Sequence, residues 1–157
     1  IALCCLDTKR NKLWFSGANS PLYIIRSVDR NARSKGRIVN HLLEKISRVT
    51  IKQDETAVLY EFRGDRKGIG ADFDNVFTTI TIDLEEGDIL YVFSDGFADQ
   101  FGGDRKKKMM YSNFKSLLLD HCHLGMEEQR QRLGEEFDLW KGELEQVDDV
   151  CILGVRV

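Results

Sequence analysis

Among these 157 residues there is a single proline, and no apolar run approaches the roughly 18 residues that a membrane-crossing helix needs. That excludes a span within this segment, and no secretory leader is visible in it. An excess of one charge is lacking too. The net charge is −3 with both signs interspersed, so nothing favours nucleic acid or a lipid surface as a partner. The longest like-charged run, Arg105-Lys106-Lys107-Lys108, reads as a solvated loop, with a phosphate or partner patch as its alternative. Disulfide chemistry is not indicated: Cys4 and Cys5 are adjacent, point to opposite faces of a strand and cannot share an ordinary bridge. With Cys122 and Cys151 they read as reduced core or surface thiols, hence a reducing, cytoplasmic setting.

Familiar catalytic and metal patterns are missing as well. No Ser-His-Asp or Cys-x5-Arg constellation supplies a protein nucleophile. His121 and His123 are two apart, face different directions on a helix, and read as a solvent-facing helix end rather than a soft-metal pair. An EF-hand starting at Asp95 fails, because position twelve is Lys106 and position six is not glycine.

What is present is one domain's worth of chain with a clear alternation of elements. Ile1 to Leu6 and Leu13 to Phe15 flank the polar stretch Asp7 to Asn11 and predict a hairpin. Leu22 to Ile25 predicts a third strand, with Pro21 at its start, where a missing N–H costs little. Residues 27–55 are strongly polar apart from apolar positions 38, 39, 42, 43 and 46 at helical spacing, and read as an insertion or flexible loop within the domain. Thr56 to Phe62, the alternating Val76 to Leu84, and Ile89 to Phe93 predict further strands. Two helices follow, Asn113 to Cys122 capped by Ser112 and Met126 to Trp140 ended by Gly142, before a last strand from Val150 to Val157. The class is α+β.

The chemistry is concentrated in two acidic groups. Asp95-Gly96 follows the apolar run Ile89 to Phe93, and Asp148-Asp149 precedes Val150 to Val157, so each group sits at a strand end. Asp-Gly and Asp-Asp are common in turns, and either alone reads as one. Together, carboxylates on rigid strand ends suit hard divalent cations.

These groups belong to an ordered series: Ser16-Gly17-Ala18-Asn19-Ser20-Pro21, Lys67-Gly68-Ile69-Gly70, Leu84-Glu85-Glu86-Gly87-Asp88, Ser94-Asp95-Gly96-Phe97-Ala98-Asp99-Gln100-Phe101-Gly102-Gly103, Trp140-Lys141-Gly142 and Gln146-Val147-Asp148-Asp149-Val150. The series resembles the PPM-type (PP2C-like) serine/threonine phosphatases, in their bacterial sporulation-phosphatase (SpoIIE-like) branch, over most of the chain. The resemblance implies a β-sandwich flanked by helices in αββα layers, here without the N-terminal part of the domain. The family's upstream Gly-Asp and Asp-x-x-Gly-His-Gly blocks are absent, and a chain opening at Ile1 without Met reads as a piece of a longer protein. The Gly64-Asp65, Gly87-Asp88 and Gly103-Asp104 pairs are not followed by a Gly-His-Gly and sit in turn contexts. By resemblance, two Mn²⁺ or Mg²⁺ ions act in hydrolysis of a phosphoserine or phosphothreonine protein, with half their ligands upstream. Asp95 and Asp148 match metal ligands, Asp149 reads as a further ligand or a hydrogen-bonding residue beside them, with a plain strand-start turn as its alternative, and Gly96 supports the site. Asp99 fits a helix-capping or solvent role better than a ligand's. The substrate implied is a regulator of the anti-anti-sigma type, and an upstream sensor, in some relatives membrane-associated, fits the branch. The alternative is a phosphatase-like module that signals by binding without catalysis.

Overall fold

Four consecutive apolar side chains, Leu22 to Ile25, are buried on a strand only if both of its faces are covered, and that requirement shapes the architecture. The computed structural model describes residues 1–28, 49–53, 55–70 and 76–157. In chain order the elements are β1 (Ala2–Asp7), β2 (Lys12–Gly17), β3 (Leu22–Ser27), β4 (Val49–Gln53), β5 (Ala57–Phe62), β6 (Ile80–Asp83), β7 (Ile89–Phe93), α1 (Gly96–Asp99), β8 (Phe101–Gly102), β9 (Lys107–Lys108), α2 (Met110–His121), α3 (Met126–Lys141) and β10 (Ile152–Arg156). One antiparallel sheet runs β10-β7-β3-β5-β4 and a second runs β1-β2-β6, with β8 and β9 forming a small ribbon.

The central strand β3 divides its side chains between two cores. Tyr23 and Ile25, with Ala57, Leu59, Ile89 and Tyr91, pack against Phe97, Phe114, Leu118, Leu133 and Phe137 of the helices. Leu22 and Ile24 turn the other way and meet Leu13, Phe15, Ile80 and Ile82 of the second sheet, together with Tyr60, Phe62 and Leu90. The result is α+β, two antiparallel sheets face to face, with the described helices on the outer face of the larger sheet. No helix among the described residues is long and apolar enough to cross a membrane.

Several expectations are met and some are corrected. The N-terminal hairpin forms with Leu6 opposite Leu13, and Gly142 ends α3 at φ 54° with its N–H on the Asp138 carbonyl. The four cysteines form no disulfide, with Cys122 buried and the others exposed. The strand expected over Val76 to Leu84 is confined to β6, because Asp65 takes the Thr78 N–H (2.6 Å) and draws the preceding backbone off the sheet. Ser112 does not cap α2. The buried Met109 is tied through its N–H to the Gln100 carbonyl (2.9 Å), which starts the helix at Met110 and leaves Ser112 inside its first turn. Within the stretch 27–55, residues 49–53 form the edge strand β4 on β5. The helical spacing at 38 to 46 lies outside the described residues.

The turn into β7 is held by charge. Arg26 donates through Nε to Asp88 Oδ1 (2.7 Å) and through a terminal nitrogen to Oδ2, while the Glu85 N–H also bonds Oδ2 (2.9 Å). The Asp88 side chain is fully buried. Gly87 takes φ 88° at the third position of this turn, where only glycine is unstrained. Replacing Arg26 with Met strands a buried carboxylate, and a loss of about 3–5 kcal/mol is expected, read from the urea unfolding midpoint.

Candidate metal centre

The two acidic groups meet because β7 and β10 pair antiparallel, with Phe93 opposite Ile152. One step further the Ser94 N–H donates to the Cys151 carbonyl (2.9 Å), and the Ser94 hydroxyl accepts from the Cys151 N–H (2.9 Å) while donating to the Asp149 carbonyl (2.8 Å). A single hydroxyl therefore fastens the residue before Asp95 to the segment that carries Asp149.

Gly96 sits under that segment. A Cβ there would overlap the Asp149 carbonyl oxygen and stand 2.9 Å from its carbon and 3.2 Å from the Asp148 oxygen. Only a residue without a side chain lets the two backbones approach this closely. The next residue, Phe97, is buried between Phe114 and Phe137, with ring centroids at 4.8 and 5.2 Å, and anchors the Asp95 corner in the core.

The approach to Asp148 is held by Gln100, a fully buried amide at the end of α1. Its Nε2 donates to the Glu145 carbonyl (2.9 Å), and its Oε1 accepts from the Val147 N–H (3.2 Å). Its own carbonyl accepts from Trp140 Nε1 (3.0 Å), and the Trp140 carbonyl accepts from the Gly103 N–H (2.8 Å). At Gly102 a Cβ would overlap that same Trp140 carbonyl. The Asp-Gln-Phe-Gly-Gly, Trp-Lys-Gly and Gln-Val-Asp-Asp segments, far apart in sequence, are thus one hydrogen-bonded unit.

Asp95, Asp148 and Asp149 are all exposed at this corner. Asp95 makes no capping bond to α1, so its carboxylate is not committed to the helix. Asp148 Oδ1 accepts from the Asp149 N–H (2.7 Å), which orients it. Asp95 lines an open cleft of about 700 Å³ with Ser94, Cys151, Asn19, Ser20 and Tyr111. Burial, and then the charges of Asp95, Asp99 and Glu61, push the Tyr111 phenol up from its ordinary value, so at neutral pH it is a neutral hydroxyl beside Asp95. All-oxygen donors of this kind match Mn²⁺ or Mg²⁺ in chemistry. In number they fall short of a full site: among the described residues no three or more His, Cys, Asp or Glu side chains converge on an ion-sized point.

The other acidic and histidine candidates do different things. Asp65 accepts from Thr78 and its backbone bridges to Ala18; Asp88 holds Arg26; Asp104 lies in an exposed turn. Asp99 faces Lys108 at 3.2 Å. His123 is exposed, as expected of a helix end. His121 departs from that expectation: its Nε2 is buried with no hydrogen-bond partner. Sequence reasoning missed Ser94, Gln100 and Tyr111. Ser94 and Gln100 do lie inside the matched block, but a bridging hydroxyl and a buried amide leave no spacing signal.

An antiparallel two-sheet sandwich with strand-end aspartates at one corner defines a PP2C-like phosphatase domain. A family model described as Stage II sporulation protein E (SpoIIE) matches residues 1–157, and the chain belongs to that family. The chain is also similar to the solved SiaA-PP2C domain of Pseudomonas aeruginosa, at 26% identity and a TM-score of 0.74. That match covers 99% of this chain and 50% of the other, so the chain spans about half of the structure it resembles. No curated protein matches it.

Two glycine substitutions separate close approach from ordinary helix propensity. Gly96→Ala is expected to destabilise by at least about 1–3 kcal/mol, the range for overpacking. Gly134→Ala, where the added Cβ meets nothing within 4 Å on α3, is expected to stabilise by about 0.5–1 kcal/mol. Thermal unfolding of both variants checks the pair.

Proposed function

We propose that this chain carries part of the active site of a metal-dependent protein phosphatase acting on phosphoserine or phosphothreonine. The observation that carries this reading is the closure of the Asp95-Gly96 corner against Asp148-Asp149 through Ser94. Asp95 and Asp148 would hold the metal, Mn²⁺ or Mg²⁺, with Asp149 as a further ligand or a hydrogen-bonding support. When bound, such a pair of ions supplies Lewis-acid stabilisation of phosphoryl oxygens and a water acidic enough to attack near neutral pH. The protein's own part is positional. Ser94 and Gly96 keep the two carboxylate-bearing segments together, Gln100 sets the path into Asp148, and Tyr111 presents a neutral O–H beside Asp95. The remaining ligands belong, on this reading, to sequence preceding this chain, where a sensor or regulatory region also fits. The substrate is a phosphorylated regulatory protein, of the anti-anti-sigma type in this branch, in the cytoplasm.

A second reading, a binding module without catalysis, draws on the incomplete ligand set among the described residues. Hydrolysis of a phosphoserine peptide by the full-length protein separates the two. Mn²⁺-dependent activity is expected, lost by more than roughly 100-fold in Asp95→Ala and in Asp148→Ala, and by about 10–100-fold in Asp149→Asn if it supports from outside the ligand shell. A folded wild type that is inactive with Mn²⁺ and Mg²⁺ would favour the binding module. Metal binding has its own readout: Mn²⁺ at about 100 times its dissociation constant is expected to add about 2.7 kcal/mol of stability, absent in Asp95→Ala.

A further inference from the structure

Beside the Asp95 cleft, and sharing Asn19, Ser20, Pro21 and Tyr111 with it, lies a second cleft of about 400 Å³. It is lined by Arg63, Arg66, Glu61 and Tyr23 as well. Among the described residues its charge is unbalanced toward the positive, and their one carboxylate there, Glu61, is matched by Lys115 Nζ at 2.7 Å and faces Arg63 Nε at 3.5 Å. Arg66 is exposed and has no ion pair among the described residues.

A second, independent feature marks the same place. Tyr23 has no solvent exposure, and its hydroxyl has no hydrogen-bond partner. An unpaired buried hydroxyl is a rarity in a folded protein and costs its full desolvation. Burial, then Glu61 and Tyr111, push its pKa up while Arg63 works against them, which sets the neutral hydroxyl among the residues of this cleft. Lys115 lies 5.3 Å from the ring centroid and adds to the positive field. Two guanidiniums and a neutral O–H, all donors, call for a ligand that is anionic and rich in acceptor oxygens.

We propose that this cleft is a recognition subsite for an acidic side chain flanking the phosphorylated residue of the substrate, held by Arg66 and Arg63 with the Tyr23 hydroxyl as a third donor. It rests on the phosphatase reading for the identity of the substrate, and the shared walls of the two clefts place it next to the reacting group. The loop Asn19-Ser20-Pro21 lies between them, fixed by the Asn19 N–H on the Asp65 carbonyl (2.9 Å) and the Asp65 N–H on the Gly17 carbonyl (2.8 Å).

The test is binding of three labelled peptides to the full-length protein by fluorescence anisotropy: a phosphoserine peptide with Asp and Glu flanks, the same with Asn and Gln flanks, and the acidic peptide without phosphate. The acidic phosphopeptide is expected to bind about 10-fold tighter than the neutral one, a difference of about 1.4 kcal/mol. Arg66→Ala should erase that preference and leave the neutral peptide's affinity unchanged, with Arg66→Lys recovering only part of it. Tyr23→Phe should raise the melting temperature without peptide and weaken the acidic peptide several-fold; a rise in melting temperature alone would remove the hydroxyl from the subsite. Lys9→Ala, in the exposed turn at the end of the β1–β2 hairpin away from Ala18, should change neither. Equal affinity of wild type for acidic and neutral phosphopeptides, or a preference untouched in Arg66→Ala, overturns the proposal even where hydrolysis proceeds. Arg66-dependent capture of the acidic peptides without hydrolysis upholds the subsite and removes the phosphatase reading.

Discussion

The antiparallel pairing of β7 with β10 is the constraint on which the candidate metal corner depends. Each strand delivers its acidic residues at the end that the pairing leaves free, and Ser94 extends the ladder by one residue through its side chain once the main-chain register runs out. A shift of one residue would turn Tyr91 out of the helix-side core and Leu90 out of the inter-sheet core, so the two cores lock the register that the site needs. Positional accuracy at the carboxylates is therefore inherited from hydrophobic burial some distance away. Gly96 then permits the final approach, and no other residue type could.

Acidic residues in this fold divide by burial. Asp88 and Asp65 are buried and fully engaged, one with Arg26 and the other with Thr78, and both serve the path of the chain. Asp95, Asp148 and Asp149 are exposed at one corner, with no buried cation paired to them among the described residues. Exposure lowers the cost of gathering like charges and leaves oxygen atoms available to a hard cation. The positive counterpart lies next door, at Arg63 and Arg66, so the two adjoining clefts are of opposite character.

Much of this was legible in the chain itself. Alternation and β-branched content located β2, β3, β5 and β7, because each of these strands has one or two faces to bury and the pattern records it, whereas β1 and β10 were legible as apolar runs although no residue of either is fully buried. Gly142 was readable as a helix stop for the same local reason. Where a distant group competes for the backbone, local pattern failed: Asp65 captures Thr78 and shortens β6, and Gln100 sets the start of α2 through Met109. The acidic pairs could be named from their strand ends and from family resemblance. That Gly96 lies beneath Asp149, or that Gln100 clamps the approach to Asp148, is tertiary information with no spacing of its own. The Tyr23 hydroxyl belongs to the same category, since on a strand of four buried residues nothing distinguishes a satisfied phenol from an unpaired one.

Paramagnetic broadening by Mn²⁺ tests most directly whether Asp95 and Asp148 share an ion. Substoichiometric Mn²⁺ should broaden the amide resonances of Gly96, Asp148 and Asp149 together, at one common midpoint, and spare that of Gly87, in the turn at the opposite end of β7 and β10. Asp95→Ala should remove the broadening at Asp148 and Asp149 as well as at its own position. Broadening of the two acidic segments at separate midpoints, or broadening at Asp148 and Asp149 that survives Asp95→Ala, would contradict a shared metal centre.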